Sequence, residues 1–377
     1  MLPTGSSLAS LSLARTPAEI AHIVVAAGVA DACATGWARI EGGRFVEARG
    51  GAVAWDRTGA PRDSTTRPED VFFDLASVTK PMVAVSLAES ELARATPLRE
   101  VLPEAQSTRS ADVSLERLVS HRAGLEANLP LFVRIRDGQD SPALRATLLS
   151  EAADARRAGC EGAVPADGFP ALYSDLGYVL AGVAMARALG AVDAGALVET
   201  RVAARLGLEQ TLGTARSLTE RGVRLADVVA PTEVVPWRGG VVRAEVHDEN
   251  AWMLTGRGGS GHAGMFGTVG AVLAFGRHVL TREKALAWTH APRPGGTLRA
   301  GFDGKSEEGS SAGVVLGPRA FGHLGFTGTS LWIDPDAGVV VALLTNRVHP
   351  TRENQALRAA RPLVHDALAR LALGGGA

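Results

Sequence analysis

Ser77 and Lys80 stand three residues apart in Phe73-Asp74-Leu75-Ala76-Ser77-Val78-Thr79-Lys80, an S-x-x-K arrangement. Lysine is scarce in this chain: Lys80, Lys284 and Lys305 are the only ones among 39 basic residues, the rest being arginine. Arginine stays charged at any working pH, whereas a desolvated lysine can release its proton and act as a base. On a helix, positions i and i+3 share a face. With Ser77 in a first helical turn, the Lys80 amine lies beside its hydroxyl. The helix N-terminus then adds backbone N–H groups and partial positive charge next to the nucleophile. A capping serine followed by a solvated lysine produces the same letters, so the pair needs support from elsewhere in the chain.

Two further segments carry chemistry. Tyr173, one of two tyrosines, opens Tyr173-Ser174-Asp175 directly before an apolar helical run. A phenol near Ser77 and Lys80 can pass a proton between nucleophile, base and leaving group; the other reading is a core tyrosine ahead of a helix capped by Asp175. Gly322-His323-Leu324-Gly325-Phe326-Thr327-Gly328 is a glycine-punctuated strand. A substrate can lie against such an edge, and a backbone N–H there can complete an oxyanion hole with that of Ser77. A bulged edge strand is the plain alternative.

The elements that would position these groups follow from pattern. Thr16 to Ala32, with a capping Thr and Pro17 at the first helical position, predicts an N-terminal helix. Short alternating runs split by Gly42-Gly43 and Gly50-Gly51 predict a hairpin or meander, and Asp56 to Asp70 a loop. Helices are expected from Ser77 to Leu92 and onward to about Gly207. Ala312–Leu316, His323–Ile333 and Gly338–Thr345 read as strands, with a turn at Pro335 to Gly338, and Arg352–Leu373 as a terminal helix. Strands at both ends with helices between predict an α/β plus α fold: an antiparallel sheet from both chain ends with flanking helices and an inserted, mostly helical domain. The expected division is 1–76 with 262–377 for the sheet domain and 77–261 for the helical one, the site lying in the groove between them.

Composition narrows the function classes. The 377 residues carry a formal net charge of −1 and no basic run, which argues against nucleic acid or an anionic membrane as partner. Cys33 and Cys160 match no metal or redox spacing. No basic leader and no apolar run of about 18–20 residues occurs, so the expected location is cytoplasmic. Neither a metal nor a cofactor is expected, and the expected partner is a small-molecule ester or amide.

Taken in order, S-x-x-K, Y-S-D and H-x-G make the chain similar to the serine β-lactamase and penicillin-binding-protein superfamily, nearest the class C-like branch that includes family VIII carboxylesterases. The resemblance runs from about Asp74 to Asp366 through FDLASVTK, LVSHRAGL, YSDLGYVLAG, VHDENA, GHAGMFGT, GHLGFTGTSLWIDP and LLTNRVHPTREN. It implies an acylated Ser77, Lys80 as its base partner and Tyr173 sharing proton transfer. It also implies an oxyanion hole from the Ser77 and Phe326 N–H groups. His323, Leu324 and Gly325 fall on the Lys-Thr-Gly element, and Asp175 stands where penicillin-binding relatives carry Asn. Leu324 lacks a hydroxyl, His323 lacks a fixed charge and Asp175 adds a carboxylate; together these tilt the expectation from anionic amides to a small neutral ester. Arg347 and Arg352 are read as a solvated helix start. His247-Asp248-Glu249-Asn250 is read as a loop and helix cap, and His121 and His262 as loop-bracing donors. Trp237 and Trp252 are read as possible pocket walls.

Overall fold

The computed structural model describes residues 8–54, 66–138 and 140–374. Most of the loop expected at Asp56 to Asp70 lies outside them. Strands occur in chain order as β1 (Ala32–Glu41), β2 (Arg44–Val53), β3 (Phe73–Asp74), β4 (Leu212–Thr214), β5 (Val234–Val235), β6 (Gly240–Val241), β7 (Met265–Gly267), β8 (Asp303–Gly304), β9 (Phe321–Leu324), β10 (Ser330–Asp334) and β11 (Val339–Thr345). Five helices position the site: α1 (Pro17–Ala26), α2 (Thr79–Ala88), α3 (Asp175–Ala188), α4 (Val269–Thr281) and α5 (Ala356–Ala372).

The main sheet has six strands in the order β2-β1-β11-β10-β9-β8, every pair antiparallel. The two ends of the chain therefore meet at β1 and β11, where Cys33 opposes Thr345 and Arg39 opposes Val339. Side chains alternate between the faces of a strand. On one face Ala34, Ala38, Leu331, Val340, Ala342 and Leu344 join the core that holds α2 and α4. On the other, Trp332, Val339, Val341 and Leu343 pack with Ile20 and Val24 of α1 and Val364 and Leu368 of α5. Both faces are covered, so β11 (VVVALLT) is apolar from Val339 to Leu344 and buried at every position.

Several expectations need correction. The N-terminal helix keeps its Thr16 cap, which accepts from Glu19 N, but ends at Ala26; Ala32 already pairs in β1. Gly42 and Gly43 make the hairpin turn, whereas Gly50 and Gly51 lie inside β2. Ala312–Leu316 is not a strand: the amides of Val314 and Val315 both donate to Asp366 Oδ1, at 2.7 and 2.9 Å, and leave nothing for a neighbouring strand. His323–Ile333 is two strands, β9 and β10, joined by a loop over 325–329 that closes through Gly325 N to Thr329 O at 2.7 Å. The terminal helix begins at Ala356 rather than Arg352. Between α2 and α4 the chain is mostly short helices, with a three-stranded sheet β3-β7-β4 behind the segment that leads to Ser77.

Candidate active site

Ser77 lies in a 3-10 turn, Ala76–Val78, that feeds into α2 at Thr79. The expected helical proximity to Lys80 holds, although the α-helix proper starts two residues later. Ala76 has φ of 46°, a left-handed conformation that costs a residue with a Cβ about 1–3 kcal/mol and persists only where its surroundings impose it. Asp74 imposes it here. Its Oδ1 accepts from Ala76 N at 2.8 Å and its Oδ2 from His247 N at 2.7 Å. Burial pushes the Asp74 carboxyl up to about 6, against the pull of those two amides. This residue was missed among the site groups, and its only sequence signal was the aspartate three places before the serine.

Lys80 is wholly buried. Its Nζ donates to Ser77 Oγ at 2.8 Å and to His262 O at 3.3 Å, and stands 2.7 Å from Asp175 Oδ1. The Asp175 contact is an ion pair and not an aligned hydrogen bond, since Oδ1 accepts none. Burial alone would lower the lysine; Asp175, then Tyr173, more than offset it and hold the ammonium above its ordinary range. The same charge pair holds the Asp175 carboxyl below its ordinary range despite burial. Asp175 does not cap α3; Ser174 does, accepting from Gly177 N.

Lys80 Nζ stands 4.9 Å from the centroid of the Tyr173 ring, and burial raises the Tyr173 phenol against the pull of Lys80. Its ring stacks on His121, with centroids 4.8 Å apart. His121 braces this segment as an acceptor, not as the expected donor: Ser174 N donates to its Nδ1 at 3.0 Å. Burial and then Lys80 bring His121 down to about 3, so it is neutral at neutral pH. His262 holds Asp248 at 2.8 Å and Ser260 at 3.1 Å, while Asp248 caps the short helix Glu249–Thr255 as expected.

The 325–329 loop is tied to the turn that carries Ser77. Thr327 Oγ1 donates to Asp74 O at 2.7 Å and Thr329 Oγ1 to Leu75 O at 2.9 Å. Gly325 is required by this approach, because a Cβ there would stand 2.6 Å from Leu75 O. Phe326 is therefore held beside Ser77, and neither residue's amide donates to a backbone carbonyl among the described residues. The neighbouring groups fall on different sides of the site. Leu324, Gly325 and Phe326 line the cavity with Ser77, Tyr173 and Asp175. His323 does not line it: it is buried, its Nδ1 bonds Leu324 O at 2.8 Å, and burial takes it down to about 3. Trp237 and Trp252 also lie elsewhere, clustered with Phe132 and Arg238. Arg352 is not a solvated helix start; it pairs with Glu233 and Glu249, each at 2.6 Å.

Half-buried Ser77 and Tyr173 line a cavity of about 390 Å³ with the buried Lys80 behind them, beside a strand edge and a helix start, an arrangement of the kind that can carry acyl transfer. Comparison with known proteins agrees. The family profile described as Beta-lactamase matches residues 29–366, and the chain belongs to that family. A protein of Salmonella gallinarum called "Putative D-alanyl-D-alanine carboxypeptidase" is 30% identical in an alignment of 203 positions that covers 47% of this chain and 45% of that one. Its Salmonella heidelberg counterpart is 29% identical over the same shares. The chain thus matches less than half the length of these relatives. Among solved structures, "EstCE1, a hydrolase with promiscuous acyltransferase activity" superposes with a TM-score of 0.64 at 17% identity, covering 95% of this chain and 99% of that one. A penicillin-binding-protein homologue from Caulobacter crescentus gives 0.60 at 20% identity over 96% of each. These two share the fold. No helix among the described residues is long and apolar enough to cross a membrane.

Proposed function

We propose that this protein is a serine hydrolase that works through an acyl-serine intermediate, with small carboxylic esters as its substrates. The observation that carries the reading is the 2.8 Å contact of the buried Lys80 Nζ with Ser77 Oγ, at a cavity that Ser77 and Tyr173 both line. Ser77 Oγ attacks the ester carbonyl carbon, and the developing oxyanion is taken by the amides of Ser77 and Phe326. With Asp175 holding Lys80 as an ammonium, the lysine is a poor base. Tyr173 relays the proton: its hydroxyl oxygen takes the Ser77 proton as its own proton passes to the departing alkoxide, and the Lys80 ammonium stabilises the negative charge carried by the alkoxide. The C–O bond breaks, alcohol leaves, and Ser77 carries the acyl group. Water then attacks the acyl carbon; its proton returns through Tyr173 to Ser77 Oγ, and the carboxylic acid departs. No cofactor enters these steps.

The same steps on an amide are the second reading, supported by the name of the Salmonella relatives. Acyl transfer to an alcohol instead of water uses the same groups. The deciding experiment follows nitrophenol release and intact mass together for wild type and Ser77→Ala exposed to p-nitrophenyl butyrate. Turnover by wild type alone is expected. Equal turnover by both proteins would remove Ser77 from the mechanism.

A further inference from the structure

The VHDENA stretch at 246–251 carries a histidine that the acyl-transfer steps do not use. His247 is 4% exposed, and neither of its ring nitrogens makes a hydrogen bond among the described residues. Nε2 stands 4.0 Å from Glu233 Oε2, which already accepts from Arg352 Nε. Burial holds the imidazole below its ordinary value, so the ring is neutral at neutral pH. A buried polar ring with nothing bonded to it gains no stability from its nitrogens. What it presents instead is a flat face, and Phe326 lies against that face with centroids 5.7 Å apart and planes at 19°.

That contact closes a circuit around the site. The His247 amide donates to Asp74 Oδ2 at 2.7 Å, Asp74 Oδ1 accepts from Ala76 N, and the Asp74 carbonyl accepts from Thr327 Oγ1, next in the chain to Phe326. The Ser77 amide belongs to the turn on the Asp74 side of this circuit, and the Phe326 amide to the side closed by the stacked rings. Gly328 N donates to Gly325 O at 3.1 Å, so 325–328 is one turn that carries the Phe326 amide with it. His247 is a firm support for that turn: its carbonyl accepts from Arg238 Nη1 at 3.1 Å, and the next residue, Asp248, caps a helix. Phe326 is 50% exposed and lines the cavity, so the face it shares with His247 is what keeps its ring from turning into that space.

We propose that His247 is a positioning residue of the acyl-transfer site: through the Phe326 ring it sets the spacing between the Ser77 and Phe326 amides. The proposal rests on the acyl-serine reading, in which those two amides receive the oxyanion. The imidazole carries no proton in this role. Its effect is felt in the tetrahedral state, where one oxygen takes both amides, more than in the bound ester.

Two substitutions separate the ring from its nitrogens. His247→Leu keeps bulk and removes the flat face; His247→Phe keeps the face and removes the nitrogens. With p-nitrophenyl butyrate, His247→Leu is expected to lower kcat about 10-fold or more while KM moves by less than about threefold, since a small misplacement of a reacting group is costly. Butylboronic acid, which forms a tetrahedral adduct with a serine hydroxyl, should bind the Leu variant more weakly by about the same 10-fold factor. His247→Phe should stay within about threefold of wild type on both measures. In Phe326→Ala the partner ring is already gone, so adding His247→Leu should cost little more. Hydrogen exchange of the peptides spanning 74–78 and 325–329 needs no turnover, and it should quicken in His247→Leu but not in His247→Phe. Wild-type kcat and boronate affinity in His247→Leu would overturn the proposal. So would equal losses in the Leu and Phe variants, or losses that simply add in the double variant. A wild type that neither turns over nor binds the boronate sinks the acyl-serine reading; unchanged exchange in His247→Leu would then sink the positioning role as well.

Discussion

Lys80 Nζ lies 2.7 Å from Asp175 Oδ1, inside a site where the lysine is fully buried and the carboxylate side chain is 26% exposed. This ion pair bears on the charge of the lysine beside Ser77. Without Asp175, burial would favour the neutral amine; with it, the ammonium is retained.

The first prediction follows from that balance. If an ammonium is what Tyr173 needs, the part of the wild-type profile set by Lys80 is a decline on the alkaline side, as pH rises through the raised value of the lysine. Asp175→Asn removes the offsetting charge, so the lysine falls and the alkaline limb of kcat/KM moves to lower pH. A pH–rate profile checks this. A variant that is instead faster at neutral pH would mean that the free amine is the working base.

Tyr173→Phe keeps the stack on His121 and removes the hydroxyl. Loss of a positioned proton carrier costs about 10²–10⁴-fold, so kcat is expected to fall in that range while the protein stays folded. Stopped-flow acylation and steady-state rates would report it, and a loss under about tenfold would take the proton relay away from this residue.

Asp74 makes stability and turnover respond to pH in opposite directions. Folding raises its pKa from 3.8 to about 6, so the native protein takes up a proton more readily than the unfolded chain. This group's contribution to stability is therefore greatest at low pH and is lost as pH rises through about 6, by roughly 3 kcal/mol in all. Turnover runs the other way, because the protonated acid turns a donor toward an amide and loosens the Ala76 turn. Asp74→Asn should remove the acid limb near pH 6 and lower kcat at neutral pH. Thermal unfolding across the same window should show wild type gaining on the variant as pH falls.

Gly325→Ala places a Cβ 2.0 Å from Thr329 Oγ1 and 2.6 Å from Leu75 O. The loop must move away from the nucleophile turn, at a cost of about 1–3 kcal/mol, and the Phe326 amide moves with it. Denaturation should show the destabilisation, and kcat should drop more than KM changes.

Leu324→Thr supplies a hydroxyl at the cavity edge where the chain has an apolar side chain. About a tenfold gain in acylation by a β-lactam is expected if the missing donor limits that reaction. Mass-spectrometric labelling rates would show it; no gain would mean that the leucine is not what restrains amide chemistry.

Much of the fold is legible in short stretches of sequence. Thr16-Pro17 starts α1 and Gly42-Gly43 turns the hairpin. The unbroken run of β11 marks a strand covered on both faces. The S-x-x-K spacing brings Lys80 to the Ser77 hydroxyl even though a 3-10 turn replaces the first helical turn. These depend on neighbours within a few residues, where backbone geometry and side-chain period leave few choices.

The tertiary structure decided the rest. Whether Asp175 repels a substrate or holds Lys80 depends on how α3 packs against α2. Val314 and Val315 could have extended a sheet, but Asp366 of α5 took their amides. Asp74 became the brace of the turn that carries Ser77 because His247, far along the chain, supplied the second donor. Arg347, Arg358 and Arg361 form one wall of the Ser77 cavity only because the segment after β11 and α5 close over the 325–329 loop. Ion pairing, desolvation and loss of a partner are properties of contacts between distant segments, so residue type and spacing carry no record of them.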